Sequence, residues 1–298
     1  MTMSENPTVA VVGPGAIGTT LAAALHEVGR TPTVCGRTAH ERLELRFDGG
    51  RIVVPGPVQT DPAEIKNTFD LVLVAVKSTQ VEAAAPWFSA LCNDRTVVCM
   101  LQNGVEQKAL VAPYLSGNPV LPAVIWFPAQ REPDASVWLR GKARLTLPDT
   151  PNTSVVLAAL RGTRCSVDIA ADFTSMAWRK LLQNAVAGLM ALTGRRAGMF
   201  SRADVTTLSL AYLRECLEVA RAEGATLGDE VPQEIIDQFH GRPPDLGTSI
   251  LADRQGGRPL EWDSRNGVVQ RCGRSHGIPT PISDLVVPLL AAASDGPG

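Results

Sequence analysis

Apolar residues follow two patterns along this chain, and the change from one to the other divides it. In the first half they come as short unbroken runs at residues 9–12, 70–76 and 96–101, with little polar alternation. Such runs predict the central strands of a parallel sheet, buried on both faces. Helical segments alternate with them. After the first run Ile17, Leu21, Leu25 and Val28 recur at helical spacing, and Gly29 supplies a stop. A second strand is expected at residues 31–35, and the alternation predicts a doubly wound α/β sheet. From residue 120 to 147 the pattern turns to β, with residues 137–139 and 143–147 flanking Arg140-Gly141-Lys142 as an expected hairpin. A helix near residues 154–161 and a strand near 165–169 are expected to complete the sheet. Beyond Asp172 the chain reads as helical throughout, which predicts a first domain over 1–170 and an all-α domain over 171–298.

The first run ends in Gly13-Pro14-Gly15-Ala16-Ile17-Gly18, a G-x-G-x-x-G spacing that opens directly into a helix. A dinucleotide needs that order. Gly13 allows a tight turn, Gly15 lets backbone approach a pyrophosphate, and Gly18 packs the helix closely on its strand. The N–H groups of the helix start, at Ala16, Ile17 and Gly18, then face the phosphates. Residues 1–170 are therefore expected to form a Rossmann domain. Where an NAD-binding fold carries an acidic residue after its second strand, this chain has Gly36-Arg37-Thr38. The planar fork of Arg37 suits a 2′-phosphate, which predicts NADPH over NADH; a solvated loop arginine is the plainer alternative. Lys77 and Gln80 follow the second run and Asn103 the third, at strand ends where such sheets bind ligands. For each of these alone, helix capping or ordinary loop chemistry competes with a cofactor role.

Composition narrows the classes. The 298 residues exceed one nucleotide-binding unit, and 45% hydrophobic content implies folded cores. A formal net charge of −2 supplies no basic field for nucleic acid. No apolar stretch approaches the roughly 20 residues of a membrane span, and residues 1–7 are polar and acidic rather than signal-like. A cytoplasmic protein is expected. Six cysteines without C-x-x-C spacing read as buried thiols, and no metal is expected.

In the second half, residues 173–192 predict a largely buried helix, with Trp178, Leu181, Leu182, Ala185, Leu189 and Leu192 on one stripe and Met176, Ala187 and Ala191 on the opposite side. Lys180 falls on that second side, with Asn184 one turn later. Desolvation would lower the lysine's pKa towards the range of a general acid; a snorkelling lysine whose ammonium reaches water fits the same pattern. The remaining block carries Gly247-Thr248-Ser249, then Glu261, Trp262, Arg265, Asn266 and Gly267, then His276 to Pro281. By pattern alone Glu261 reads as a surface carboxylate, and Ser249 and Asn266 as helix caps.

Taken together, Gly13 to Gly18, Lys77, Gln102-Asn103-Gly104, Trp178-Arg179-Lys180-Leu181 and the 247–281 block resemble the ketopantoate reductase (2-dehydropantoate 2-reductase) family over nearly the whole chain. The motifs stand in the family's order, and the twelve-residue separation of Ser249 and Glu261 also fits. The resemblance implies reduction of a 2-oxo acid by NADPH, with 2-dehydropantoate, a precursor in pantothenate biosynthesis, as the favoured substrate. It implies Lys180 as the proton donor to the ketone oxygen and Glu261 as the acid that binds the substrate hydroxyl or orients the lysine. Ser249 would meet the substrate carboxylate, Asn184 the substrate, and Asn103 both nicotinamide and substrate. Arg37, Lys77 and Gln80 would be cofactor contacts. The chain departs from the family at Gly188 and at Gly194-Arg-Arg-Ala-Gly198, where further asparagines are usual, and at Trp262 and Arg265, where smaller or more apolar residues are common. These departures imply altered pocket polarity. They leave two alternatives: a different small 2-oxo or hydroxy acid, or a nucleotide-binding regulatory protein without turnover. Monomer and homodimer are both compatible, and the apolar second domain leaves room for the dimer.

Overall fold

The structure is a computed structural model and describes residues 6–296. Residues 1–5 of the polar opening, expected to carry no signal sequence, lie outside the described residues. The chain forms two compact units, residues 1–102 with 107–173, and residues 103–106 with 174–298.

Unit 1 begins with β1 (Val9–Val12), α1 (Ala16–Glu27), β2 (Thr33–Cys35), β3 (Arg42–Phe47), β4 (Gly50–Pro55), β5 (Leu71–Val74), α2 (Val81–Leu91) and β6 (Val97–Met100). It continues with α3 (Gln107–Val111), β7 (Val120–Pro122), β8 (Val124–Ile125), β9 (Ala129–Arg131), β10 (Val137–Leu139), β11 (Ala143–Pro148), α4 (Thr153–Leu160) and β12 (Cys165–Ala170). A five-stranded parallel sheet in the order β2-β1-β5-β6-β7 forms its centre. Every residue of β1, β5 and β6 is buried. Period-2 alternation sends Val9, Val11, Leu71 and Leu73 into one core with Leu21 and Leu25 of α1. Ala10, Val12, Val72 and Val74 enter a second core with Val81, Trp87 and Phe88 of α2. Helices thus cover both faces, which is why the strands carry no polar side chain. The chain leaves β1 for β2 on one side and for β5 on the other, so the turns after these strands share the switch point of the sheet.

Two expectations are corrected here. Residues 137–139 and 143–147 form no hairpin: β10 pairs with β3 and β9, whereas β11 pairs with β8 and β12. A turn does exist at Gly141, at φ +81°, but its arms enter different sheets, because Val137 and Leu139 are buried in β10's partnership with the β3–β4 hairpin. Likewise β12 does not complete the parallel sheet. It edges a separate three-stranded sheet, β12-β11-β8. The β3–β4 hairpin, absent from the sequence expectations, anchors a third sheet, β4-β3-β10-β9, that packs on α1.

Unit 2 is helical: α5 (Phe173–Thr193), α6 (Ala203–Ala222), α7 (Val231–His240), α8 (Ser249–Gln255), α9 (Val268–His276) and α10 (Pro281–Asp295), with a π-helical segment at Asp263–Gly267. Its core gathers Trp178, Leu181, Phe200, Tyr212, Phe239 and Leu290, among others. None of the described helices is long and apolar enough to cross a membrane.

The glycine turn separates packing from access. A Cβ on Gly18 would stand 2.1 Å from the Gly13 carbonyl oxygen, whereas one on Gly15 would meet nothing within 4 Å. Gly15 also has extended backbone that any residue can adopt, at φ −78° and ψ −164°. Gly18→Ala should therefore cost about 1–3 kcal/mol of stability, and Gly15→Ala should stay within about 0.5 kcal/mol; urea denaturation of the two variants checks the contrast.

Candidate active site

In unit 1 the candidate cofactor residues all stand at carboxyl ends of parallel strands. Gly13 takes φ +100°, and a Cβ there would press on Val76 at 2.8 Å, which brings the glycine turn against the segment leading to Lys77. The Gly13 N–H donates to the Cys35 carbonyl at 2.8 Å, and Gly36 lies against the Pro14 ring, so the exposed Arg37 follows directly beside the turn. Helix α1 starts at Gly15 without a side-chain cap and without an acidic residue in its first turn. The first N–H groups of a helix lack intrahelical acceptors, and here they meet the open ground before Gly15. These residues fit a dinucleotide pyrophosphate. Gln80 has a structural task as well, since its Oε1 accepts the Lys77 N–H at 3.3 Å. Buried Gln102 ties the ends of β5 and β6 together, donating to the Val76 carbonyl at 2.8 Å.

In unit 2 the candidates Asn103, Asn184, Glu261 and Ser249 form one connected group through Arg265. Asn184, 8% exposed on α5, donates to Asn103 Oδ1 at 3.1 Å. Asn103 Nδ2 donates to Glu261 Oε2 at 3.5 Å. The same carboxylate oxygen accepts from Arg265 Nη2 at 3.1 Å, and that nitrogen also donates to Ser249 Oγ at 3.0 Å. Partly buried Lys180 donates to Gln183 Oε1 at 3.4 Å. Its ammonium is pushed down to about 8, first by burial and then by the like charges of Arg265 and Arg242.

Glu261 is 5% exposed and ion-paired with a guanidinium that is itself 1% exposed, rather than a carboxylate at the surface. Ser249 opens α8 but the capping position is Thr248, and Ser249 accepts from Arg265 instead. Asn266 is no cap either: its amide donates to the Ala185 carbonyl and to the Tyr212 hydroxyl, both at 2.9 Å. Gly188 makes room for that amide, since a Cβ would come within 3.0 Å of Asn266 Nδ2 and 3.1 Å of Leu290. The Gly188 departure thus belongs to the core, and Trp262 packs against the same core. Sequence reasoning named Arg265 only as a departure. The signal for its role was the four-residue spacing to Glu261, which a turn of helix would bring together.

Comparison with known proteins agrees along the length of the chain. The family described as ketopantoate reductase PanE/ApbA matches residues 9–152, and its C-terminal counterpart matches residues 172–294. A 2-dehydropantoate 2-reductase of Mycobacterium tuberculosis is 54% identical over 291 residues, covering 97% of this chain and 99% of the relative. The chain belongs to the ketopantoate reductase family. A second such reductase, from Caulobacter vibrioides, is 36% identical over 287 residues, covering 96% of this chain and 99% of its own. Among solved structures, a dimeric ketopantoate reductase from Staphylococcus aureus superposes with a TM-score of 0.87 at 26% identity, covering 98% of this chain and all of that one. The doubly wound unit and the helical unit are those of the family fold.

Proposed function

We propose that this chain reduces 2-dehydropantoate to pantoate, with NADPH as hydride donor and Lys180 as proton donor. The desolvated Lys180 beside the Asn184–Asn103–Glu261–Arg265–Ser249 group carries the chemical part of this reading. Relatives named 2-dehydropantoate 2-reductase, at 54% and 36% identity over nearly the whole chain, support the substrate.

NADPH, when bound, supplies a hydride to the carbonyl carbon of the 2-oxo acid. Lys180 Nζ gives its proton to the ketone oxygen and takes another from water, so that oxo acid, NADPH and one proton yield hydroxy acid and NADP⁺. Glu261 accepts a hydrogen bond from the substrate hydroxyl, Ser249 donates to the carboxylate, and the amides of Asn103 and Asn184 orient the groups between. Ala16, Ile17 and Gly18 would cradle the pyrophosphate through backbone N–H groups with Gly15 allowing its close approach, while Gly13, whose N–H donates to the Cys35 carbonyl, shapes the turn. Arg37 pairs with the 2′-phosphate, and Lys77 and Gln80 line the neighbouring strand end. Six free thiols, four of them buried, support the reading of a cytoplasmic location. A second copy of this chain is the partner we assign to α10, where Leu285 and Leu289, one turn apart, are 69% and 57% exposed.

Lys180→Ala should lower turnover of 2-dehydropantoate by about 10²–10⁴ while NADPH affinity is retained; unchanged turnover in a stopped-flow assay of NADPH oxidation removes the assignment. The donor must carry its proton, and it loses it as pH rises through about 8. Reductive kcat/KM should therefore fall above that pH, and a flat profile there contradicts the role. Arg37→Ala should weaken NADPH binding about tenfold or more and leave NADH within about twofold, measured by fluorescence titration; equal affinities in the unsubstituted protein would overturn the cofactor preference. Sedimentation equilibrium should give twice the chain mass, and Leu285→Glu with Leu289→Glu should halve it.

A further inference from the structure

Arg265 is the least expected residue in unit 2. Its guanidinium is 1% exposed, and its Nε is buried without a hydrogen-bond partner among the described residues. Burying a charged group with one donor unsatisfied is a poor way to stabilise a helical core, where an apolar side chain of similar volume packs at less cost. The backbone that presents it is also unusual. Residues Asp263–Gly267 form a π-helical segment, a rare conformation often found at functional sites. One nitrogen of this guanidinium donates to both Glu261 and Ser249, two groups to which the proposed function gives substrate contacts.

The chemistry of these two bonds is directional. Arginine has no acceptor, so Ser249 must accept, and its own hydroxyl hydrogen is directed to a partner other than Arg265. Ser249 is solvent-exposed, which makes that hydrogen available to an incoming anion. Glu261, buried at 5% exposure, would by itself repel a substrate carboxylate; the paired guanidinium offsets its charge.

We propose that Arg265 is a positioning residue for the 2-oxo acid: it neutralises Glu261 and turns Ser249 into a hydrogen-bond donor towards the substrate carboxylate. This deepens the proposed function and rests on it. The same cation also bears on Lys180. The charged groups that act on Lys180 from packed elements are Arg265 in the π-helical segment and Arg242 after α7; on α5 itself, Arg179 pairs with Glu234 at 2.6 Å. Removing Arg265 takes away a positive neighbour, and that change raises the lysine's pKa.

The test compares Arg265→Met, Arg265→Lys and Ser249→Ala with the full-length parent in two readouts. Lys180 is titrated by ¹³C NMR of the ε-carbon, assigned by its loss in Lys180→Met, without any substrate present. Steady-state kinetics with 2-dehydropantoate give KM and kcat separately. Arg265→Met should raise the Lys180 midpoint by about half a unit or more and raise KM about tenfold or more, with NADPH affinity unchanged. Arg265→Lys keeps the charge but not the planar fork, so it should hold the midpoint near that of the parent while KM still rises. Ser249→Ala, which leaves the buried pair intact, should raise KM without moving the midpoint. An unmoved midpoint in Arg265→Met, or an unchanged KM in either Arg265→Lys or Ser249→Ala, overturns the proposal; if Arg265→Met does not fold, the other two variants decide it. A parent that turns over no 2-oxo acid would refute the proposed function instead, while the titration would still decide whether Arg265 sets the charge state of Lys180.

Discussion

A polar group removed from water must find a partner, and both units are arranged around the few places where that is possible. In unit 1 the strands β1, β5 and β6 are buried on both faces, so no side chain along them can carry chemistry. Polar residues are displaced to the carboxyl ends, where the chain returns to solvent. Even there the interior makes demands: Gln102, buried beyond β6, is held by the carbonyl of Val76. The segments carrying Gly13 and Lys77 are set beside each other by the close packing of Gly13 on Val76.

Unit 2 meets the same constraint differently. Helix α5 is buried from Leu181 to Ala191, so the polar residues on it need partners supplied by other segments. Asn184 finds Asn103, which reaches unit 2 in the short stretch 103–106. Further along, the space left by Gly188 admits the Asn266 amide, and that amide joins α5 to the Tyr212 hydroxyl on α6. A side chain at position 188 would compete for this space. The glycine is thus explained by a buried hydrogen bond between helices and not by the shape of a substrate pocket.

The electrostatics of the group follow from burial too. A lysine among like charges is easier to deprotonate, and Lys180 has two arginines within range. The charge of a carboxylate beside a buried guanidinium is offset by its partner. The group therefore holds charges of both signs at short distance.

Much of this was legible along the chain. Short apolar runs bounded by turn residues mark strands covered on both sides, and glycines at G-x-G-x-x-G spacing between such a run and a helical pattern mark local turn geometry, so the parallel sheet and the start of α1 are properties of short segments. The long helix with Lys180 and Asn184 on neighbouring turns was local in the same sense. Strand partnership was not: β10 and β11 carry the alternation of a hairpin, yet β10 pairs with β9 and the distant β3, and β11 with β8 and β12. Nor could any local pattern show that Glu261 is buried or that Asn103 meets Asn184 across 81 positions. Periodicity records which face of an element avoids water. Which groups then share the water-free space, and so set one another's charge and hydrogen bonding, is decided only when distant segments pack together.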